Sequence, residues 1–176
     1  MISAESRALI GAGAMGHGIA QVCATTGYQV TLVDIDPDQL ESALGSIKRS
    51  VEKLHSKGRL TDEQRNSGLE NVATSTELET AADADFVIEA VVETLAVKKE
   101  IFTQLDQLTR PDVILASNTS SISLTELGAT TNRPEQVIGM HFMNPVPLMK
   151  LVEVIRGLDT SDQTTDVTVA LTESLG

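Results

Sequence analysis

Tryptophan is absent from the 176 residues, and one tyrosine and three phenylalanines hold aromatic content to 2%. No stacking platform for single-stranded nucleic acid is therefore available. Cations are scarce as well: 13 Lys and Arg stand against 25 Asp and Glu, a net charge of −12. That balance argues against nucleic acid and anionic membranes as partners. The single cysteine, Cys23, excludes an internal disulfide, and its place on the apolar side of a helix-like segment marks it as a packed core residue. No apolar run is long enough to cross a bilayer, and the N-terminus lacks the basic-then-apolar pattern of a signal peptide. A reducing cytoplasm is the expected setting. No His, Cys or acid spacing suggests a metal site.

What is present is alternation. Apolar runs at Ala8–Ile10, Gln29–Asp34, Val72–Ser75, Phe86–Ala90, Val113–Ser117, Val137–His141 and Leu151–Ile155 read as strands. Helical periodicity fills 15–26, 37–56, 62–68, 95–108, 123–128 and 161–175. Continuous apolar strands between amphipathic helices predict an α/β fold, a doubly wound, mostly parallel sheet covered on both faces. With 41% hydrophobic residues the chain can bury one substantial core, so one domain is expected. Pro37 suits the first turn of the second helix, and Gly27 the end of the first. The long, charged 37–68 region, interrupted by Gly58, predicts a helical hairpin projecting from the sheet. A terminal helix should stop at Gly176.

The run Leu9-Ile10-Gly11-Ala12-Gly13-Ala14-Met15-Gly16 lies between the first strand and the first helix, and the second strand ends at Asp34, 18 residues past Gly16. Strand, glycine turn, helix, strand and acid in register make a dinucleotide-binding, Rossmann-like unit. Gly11 permits the tight turn, Gly13 lets backbone approach a pyrophosphate, and Gly16 lets the helix pack closely. Backbone N–H groups opening the helix, from Ala14 and Met15 onward, face the phosphates. A carboxylate at Asp34 accepts hydrogen bonds from ribose hydroxyls and repels a 2′-phosphate, Asp36 adds to the repulsion, and NAD rather than NADP follows. His17, in the first helical turn, reads as an exposed residue, with approach to the pyrophosphate as the alternative, and His55 as solvated hairpin surface.

A second polar region, Ala116-Ser117-Asn118-Thr119-Ser120-Ser121, follows a strand at the end where parallel sheets place ligands. His141 closes one strand and Glu153 lies in the next, so neighbouring pairing would join imidazole and carboxylate. A histidine so held is a general base for an alcohol. Spacing alone fits equally well with a hydrogen-bonded structural histidine. Met15, Met140, Met143 and Met149 are read as packing residues, with a pocket-lining role as the alternative.

These stretches, together with Gly18-Ile19-Ala20-Gln21, Val87-Ile88-Glu89-Ala90-Val91-Val92-Glu93 and the segment from His141 through Glu153, resemble the NAD-binding domain of the L-3-hydroxyacyl-CoA dehydrogenase family, which includes 3-hydroxybutyryl-CoA dehydrogenases. The resemblance implies NAD-dependent, reversible oxidation of (S)-3-hydroxyacyl-CoA to 3-oxoacyl-CoA. On it, His141 is the base, Glu153 orients it, and Ser120 binds the substrate oxygen beside the nicotinamide. Glu93 and Lys98 fall near the nicotinamide ribose, Asn144 near the nicotinamide end, and Ser50 and Lys57 where the family's hairpin contacts CoA. Without the resemblance, Glu93 is an acid at a strand end and Lys98 a solvated helix lysine. Lys48, Arg49, Lys53, Lys57 and Arg59 then form either a polyphosphate-binding stretch or a solvated face laced with Glu52.

The family's first strand carries a longer apolar run than this one, where Glu5-Ser6-Arg7 precede Ala8. Its members also have a second, all-helical domain that closes the cleft, supplies a further Asn and forms a homodimer interface. None of that follows Gly176 here. The expectation is a cofactor domain that binds NAD, binds acyl-CoA weakly, turns over poorly alone and exposes apolar surface. The parent is then either a stand-alone enzyme or part of a multifunctional β-oxidation protein. Two other readings stay open: a dehydrogenase of a free hydroxy acid, and a non-catalytic NAD-binding module.

Overall fold

The computed structural model describes residues 6–176; Glu5, first of the polar residues ahead of Ala8, lies outside them. Seven strands form one sheet: β1 (Ser6–Ile10), β2 (Gln29–Val33), β3 (Val72–Ser75), β4 (Phe86–Glu89), β5 (Ile114–Ser117), β6 (Val137–Phe142) and β7 (Val152–Arg156). Their spatial order is β3-β2-β1-β4-β5-β6-β7, parallel throughout except for β7, which runs antiparallel to β6. The order reverses direction between β1 and β4, and the crevice above that point is where such sheets take a dinucleotide.

The helices are α1 (Ala14–Thr25), α2 (Pro37–Ser56), α3 (Asp62–Glu70), α4 (Leu95–Leu108), α5 (Leu124–Gly128) and α6 (Asp162–Ser174). Two short 3-10 turns, Leu78–Asp83 and Pro134–Gln136, join elements that the periodicity leaves as loops. Local chemistry explains several ends. Pro37 opens α2 behind an Asp36 cap, whose carboxylate accepts from the Asp38 N–H. Thr61 and Gln64 form a reciprocal capping box at the start of α3. Gly27 and Gly176 sit at positive φ just past α1 and α6.

The expected hairpin is present, but it lies against α1 instead of standing free. Leu40, Ala43, Ile47 and Val51 of α2 share one buried cluster with Ile19, Ala20 and Cys23 of α1. Gly68 of α3 lies so close to Thr25 that a Cβ there would meet the threonine methyl at 2.7 Å. Burial pushes the Cys23 thiol up to about 12, which makes it inert packing. The polar start of β1 does not shorten the strand: Ser6 and Arg7 pair with Gln29 and Val30. Arg7 is buried, its guanidinium stacked 4.2 Å from the centre of the Tyr28 ring.

Candidate functional site: a strand-end crevice with a glycine turn and a His–Glu pair

The glycine turn follows from its backbone. Gly11 has φ +102°, and its N–H donates to the Val33 carbonyl at 2.7 Å, joining the turn to β2. A Cβ on Gly16 would meet the Gly11 carbonyl oxygen at 1.8 Å, so the helix closes on the turn itself more tightly than on β1. Gly13, the cap of α1, has open space where its side chain would be, which is what close approach of an anion to backbone requires. Asp34 accepts from the Ala12 N–H at 2.7 Å and from the Asp36 N–H at 3.0 Å. Beside it runs a cleft of about 600 Å³ lined by Gly11, Gly13, Asp34, Ile35, Val91 and Ile101 among others. Ala14 is exposed and Met15 half-buried in the opening turn of α1. His17 is half-buried rather than exposed, because its Nδ1 lies 2.9 Å from the Gly13 carbonyl.

At the far side of the crevice, antiparallel pairing sets His141 of β6 directly opposite Glu153 of β7. The His141 Nδ1 to Glu153 Oε2 distance is 2.8 Å, with the imidazole partly covered and the carboxylate half-exposed. A carboxylate acceptor places the proton on Nδ1, and among the described residues Nε2 has no partner.

Between these two halves lies a charged network. Glu89, at the end of β4, is fully buried; its carboxylate accepts from Lys98 Nζ at 2.6 Å, Ser117 Oγ at 2.6 Å and Val91 N–H at 2.7 Å. Lys98 is 1% exposed, so it is not the solvated helix lysine that periodicity suggests; a second carboxylate, Glu93, lies 3.3 Å from its Nζ. Glu93 stands in the turn after β4 rather than at the strand end. It accepts from the Thr119 hydroxyl and, at 3.2 Å, from the Ser120 N–H. Burial alone would push the Glu93 carboxyl up; the Thr119 hydroxyl and the Lys98 ammonium outweigh it and hold it below the usual carboxylate range. Asn118 bridges to the other half, its Oδ1 accepting from the Phe142 N–H at 2.8 Å, one residue past His141.

Ser120 is exposed at the mouth of this network, and Asn144 is exposed in the β6–β7 connection. That connection packs on α1: a Cβ on Gly18 would meet Val146 at 2.9 Å. Of the methionines, Met140 is buried core, Met15 and Met143 are half-buried, and Met149 is exposed. Ser50 is half-buried on α2 and Lys57 exposed at its end, away from the His–Glu pair in sequence and on a different element. Glu52 does not lace the cationic face; Arg65 of α3 takes it in a two-pronged pair at 2.5 and 2.9 Å. Among the described residues, Lys48, Arg49, Lys53, Lys57 and Arg59 make no ion pair. His55 is likewise more than solvated surface, since its Nε2 meets Asp62 at 2.8 Å.

By spacing, Ser117, Asn118 and Thr119 read only as polar residues at the ligand end of a strand, and Glu89 has no separate role. The one available signal is the acid inside Phe86-Val87-Ile88-Glu89, because a charge in a buried strand requires a partner.

A glycine turn on a doubly wound sheet, an acid ending β2 and an open crevice at the switch point define a dinucleotide-binding domain. More narrowly, residues 6–176 match the model of the 3-hydroxyacyl-CoA dehydrogenase NAD-binding domain, and the chain belongs to that family. It is 49% identical over 166 residues to a "Probable 3-hydroxybutyryl-CoA dehydrogenase" of Bacillus subtilis, covering 94% of this chain and 58% of that protein. The crystal structure of a 3-hydroxybutyryl-CoA dehydrogenase from Escherichia coli superposes with a TM-score of 0.96 at 42% identity, over 99% of this chain and 37% of that one. An (S)-3-hydroxybutyryl-CoA dehydrogenase from Ralstonia eutropha gives a TM-score of 0.95 at 44% identity, over 99% of this chain and 62% of that one. The chain thus spans less than two thirds of the length of each of these relatives. NAD is its cofactor. Among the described residues no helix is long and apolar enough to cross a membrane.

Proposed function

We propose that this chain is the cofactor half of an NAD-dependent (S)-3-hydroxyacyl-CoA dehydrogenase, with a short substrate of the 3-hydroxybutyryl type. The observation that carries the reading is the His141–Glu153 pair at 2.8 Å on adjacent strands. A pure NAD-binding module has no use for an oriented imidazole at the sheet end.

His141 Nε2 removes the proton of the 3-hydroxyl, while Glu153 holds the Nδ1 proton and offsets the positive charge that develops on the ring. In the reverse direction His141 returns that proton to the 3-oxo oxygen. Ser120 donates to the same oxygen and aligns it for His141. NAD, when bound, supplies the hydride acceptor. Gly11, Gly13, Ala14, Met15 and Gly16 form the pyrophosphate cradle, Asp34 holds the adenine ribose, and Glu93, Lys98 and Asn144 surround the nicotinamide end. The cations around Lys57, unpaired among the described residues, suit with Ser50 the phosphates of CoA.

A second, helical domain then completes the cleft and the dimer in the full-length protein. The exposed Leu148, Met149 and Leu151 of the β6–β7 connection are apolar surface of the kind such a domain covers. A cytoplasmic setting accords with this chemistry.

The test is NADH oxidation by the full-length protein with acetoacetyl-CoA against free acetoacetate. Turnover confined to the thioester supports the reading, and equal turnover of the free acid transfers the proposal to a hydroxy-acid dehydrogenase. His141→Asn is expected to lower turnover by about 100-fold or more while NAD affinity stays within about twofold. Full turnover in that variant would remove His141 as the base.

A further inference from the structure

Glu89, Lys98 and Glu93 form a line of three charges that runs from the sheet interior to the crevice. Glu89 is 0% exposed and Lys98 1%, whereas the Glu93 side chain is 39% exposed. Lys98 Nζ lies 2.6 Å from Glu89 and 3.3 Å from Glu93, so one ammonium serves two carboxylates and the line carries one net negative charge. Packing alone does not call for that arrangement. A single buried pair would be neutral, and removing Glu89 would leave Lys98 paired with Glu93 and the line neutral too.

The polar groups around it hold the surplus charge at the crevice end. Glu93 takes hydrogen bonds from Thr119 and from the Ser120 backbone, both in the loop that bears the proposed substrate-binding serine. Asn118 of the same loop holds the Phe142 N–H beside His141. The charge therefore sits in the same strand-end crevice as the proposed base.

The two forms of the cofactor differ in one electrostatic respect: the oxidised ring is a cation and the reduced ring is neutral. Every contact of the glycine turn and Asp34 is common to both. We propose that the net negative charge of the Glu89–Lys98–Glu93 line tunes the domain toward NAD⁺ over NADH, with the buried Glu89 acting as a positioning residue that neutralises Lys98 and leaves Glu93 uncompensated. The inference rests on the dehydrogenase reading, since it needs the nicotinamide to enter the crevice that holds His141. A ligand shifts a preference only through a difference between states, and the ratio of the two dissociation constants isolates that difference.

The experiment is titration calorimetry of the 176-residue chain with NAD⁺ and with NADH. In Glu89→Gln, whose carbonyl oxygen still accepts from Val91 and whose amide N–H can donate to the Ser117 hydroxyl, the ratio Kd(NADH)/Kd(NAD⁺) is expected to fall by about fivefold, the order of one unit charge acting across a solvated crevice. The double variant E89Q/K98M removes both buried charges, restores one net negative charge and is expected to return the ratio to its original value. Should E89Q fail to fold, Glu93→Gln removes the same unit of charge from a half-exposed side chain and carries the same expected fall. An unchanged ratio in folded E89Q, or in E93Q where that variant stands in, overturns the proposal. So does a double variant that keeps the ratio of E89Q. Binding of both forms with no change in ratio leaves the NAD assignment intact. Binding of neither form to the unaltered chain removes that assignment, and this inference with it.

Discussion

Asp34 is half-buried at the end of β2, where its carboxylate holds the Ala12 N–H of the glycine turn, and its proposed second task is to hold the adenine ribose. Asp34→Ala is expected to raise affinity for NADP relative to NAD by about tenfold, because repulsion of the 2′-phosphate is lost. Binding titrations with the two dinucleotides measure it, and an unchanged ratio would count against Asp34 as the ribose residue. Its position was legible because a short-range pattern carries it: strand, turn, helix, strand, acid. Lys98 was not legible. On α4 it looks like a solvated lysine, and only the folded sheet brings Glu89, nine positions away, to within 2.6 Å of it. The same holds for Glu52, whose partner Arg65 lies across the turn between α2 and α3.

At the scale of elements, α1 is held by two close approaches, Gly16 on the Gly11 carbonyl and Gly18 on Val146. The second ties the helix that follows the glycine turn to the loop that connects His141 with Glu153. Gly16→Ala forces a Cβ against backbone that has no room to yield. It is expected to abolish NAD binding and to cost about 2 kcal/mol of stability, read by calorimetry and by urea unfolding. At the opposite end of the sheet, Arg133 is buried and donates to the Asp106 carboxylate at 2.8 Å and to the Asp106 carbonyl at 2.6 Å, closing the end of α4. Removing the carboxylate in Asp106→Ala leaves a buried guanidinium without its counter-charge. A loss of about 3 kcal/mol is expected in the same unfolding measurement, with NAD affinity unchanged because the site lies at the other end of the strands.

For the whole molecule, acid is the informative perturbation. Burial alone would raise the Asp106 carboxyl, but the Asn132 N–H and the Arg133 guanidinium outweigh it and hold the group low, as Glu93 is held low by Thr119 and Lys98. A carboxyl depressed in the folded state binds its proton less readily than in the unfolded chain. Its contribution is therefore complete above the ordinary carboxylate value of about 4 and drains as pH falls through the lower folded value. The urea midpoint is expected to hold between pH 7 and about 5 and to drop below about 4, with a shallower drop in Asp106→Asn. A variant as acid-sensitive as the parent would show that Asp106 is not a source of the loss.

Local chemistry by itself determined the alternation of strands and helices, the glycine turn with its acid, the hairpin caps and the identity of the His141 and Glu153 pair as neighbours-in-waiting. Each depends on periodicity or turn geometry over a few residues, which a linear reading contains. Tertiary structure alone decided that β7 turns back antiparallel and so sets His141 opposite Glu153, that the hairpin lies along α1, and that a buried Glu89 claims Lys98. Those outcomes join groups on different elements, and strand order with the demand that a buried charge find a partner selects them. The cationic stretch 48–59 shows the division plainly. Its composition contains one acid, Glu52, but only the fold pairs that acid with Arg65 of α3 and leaves its five cations without an ion pair among the described residues.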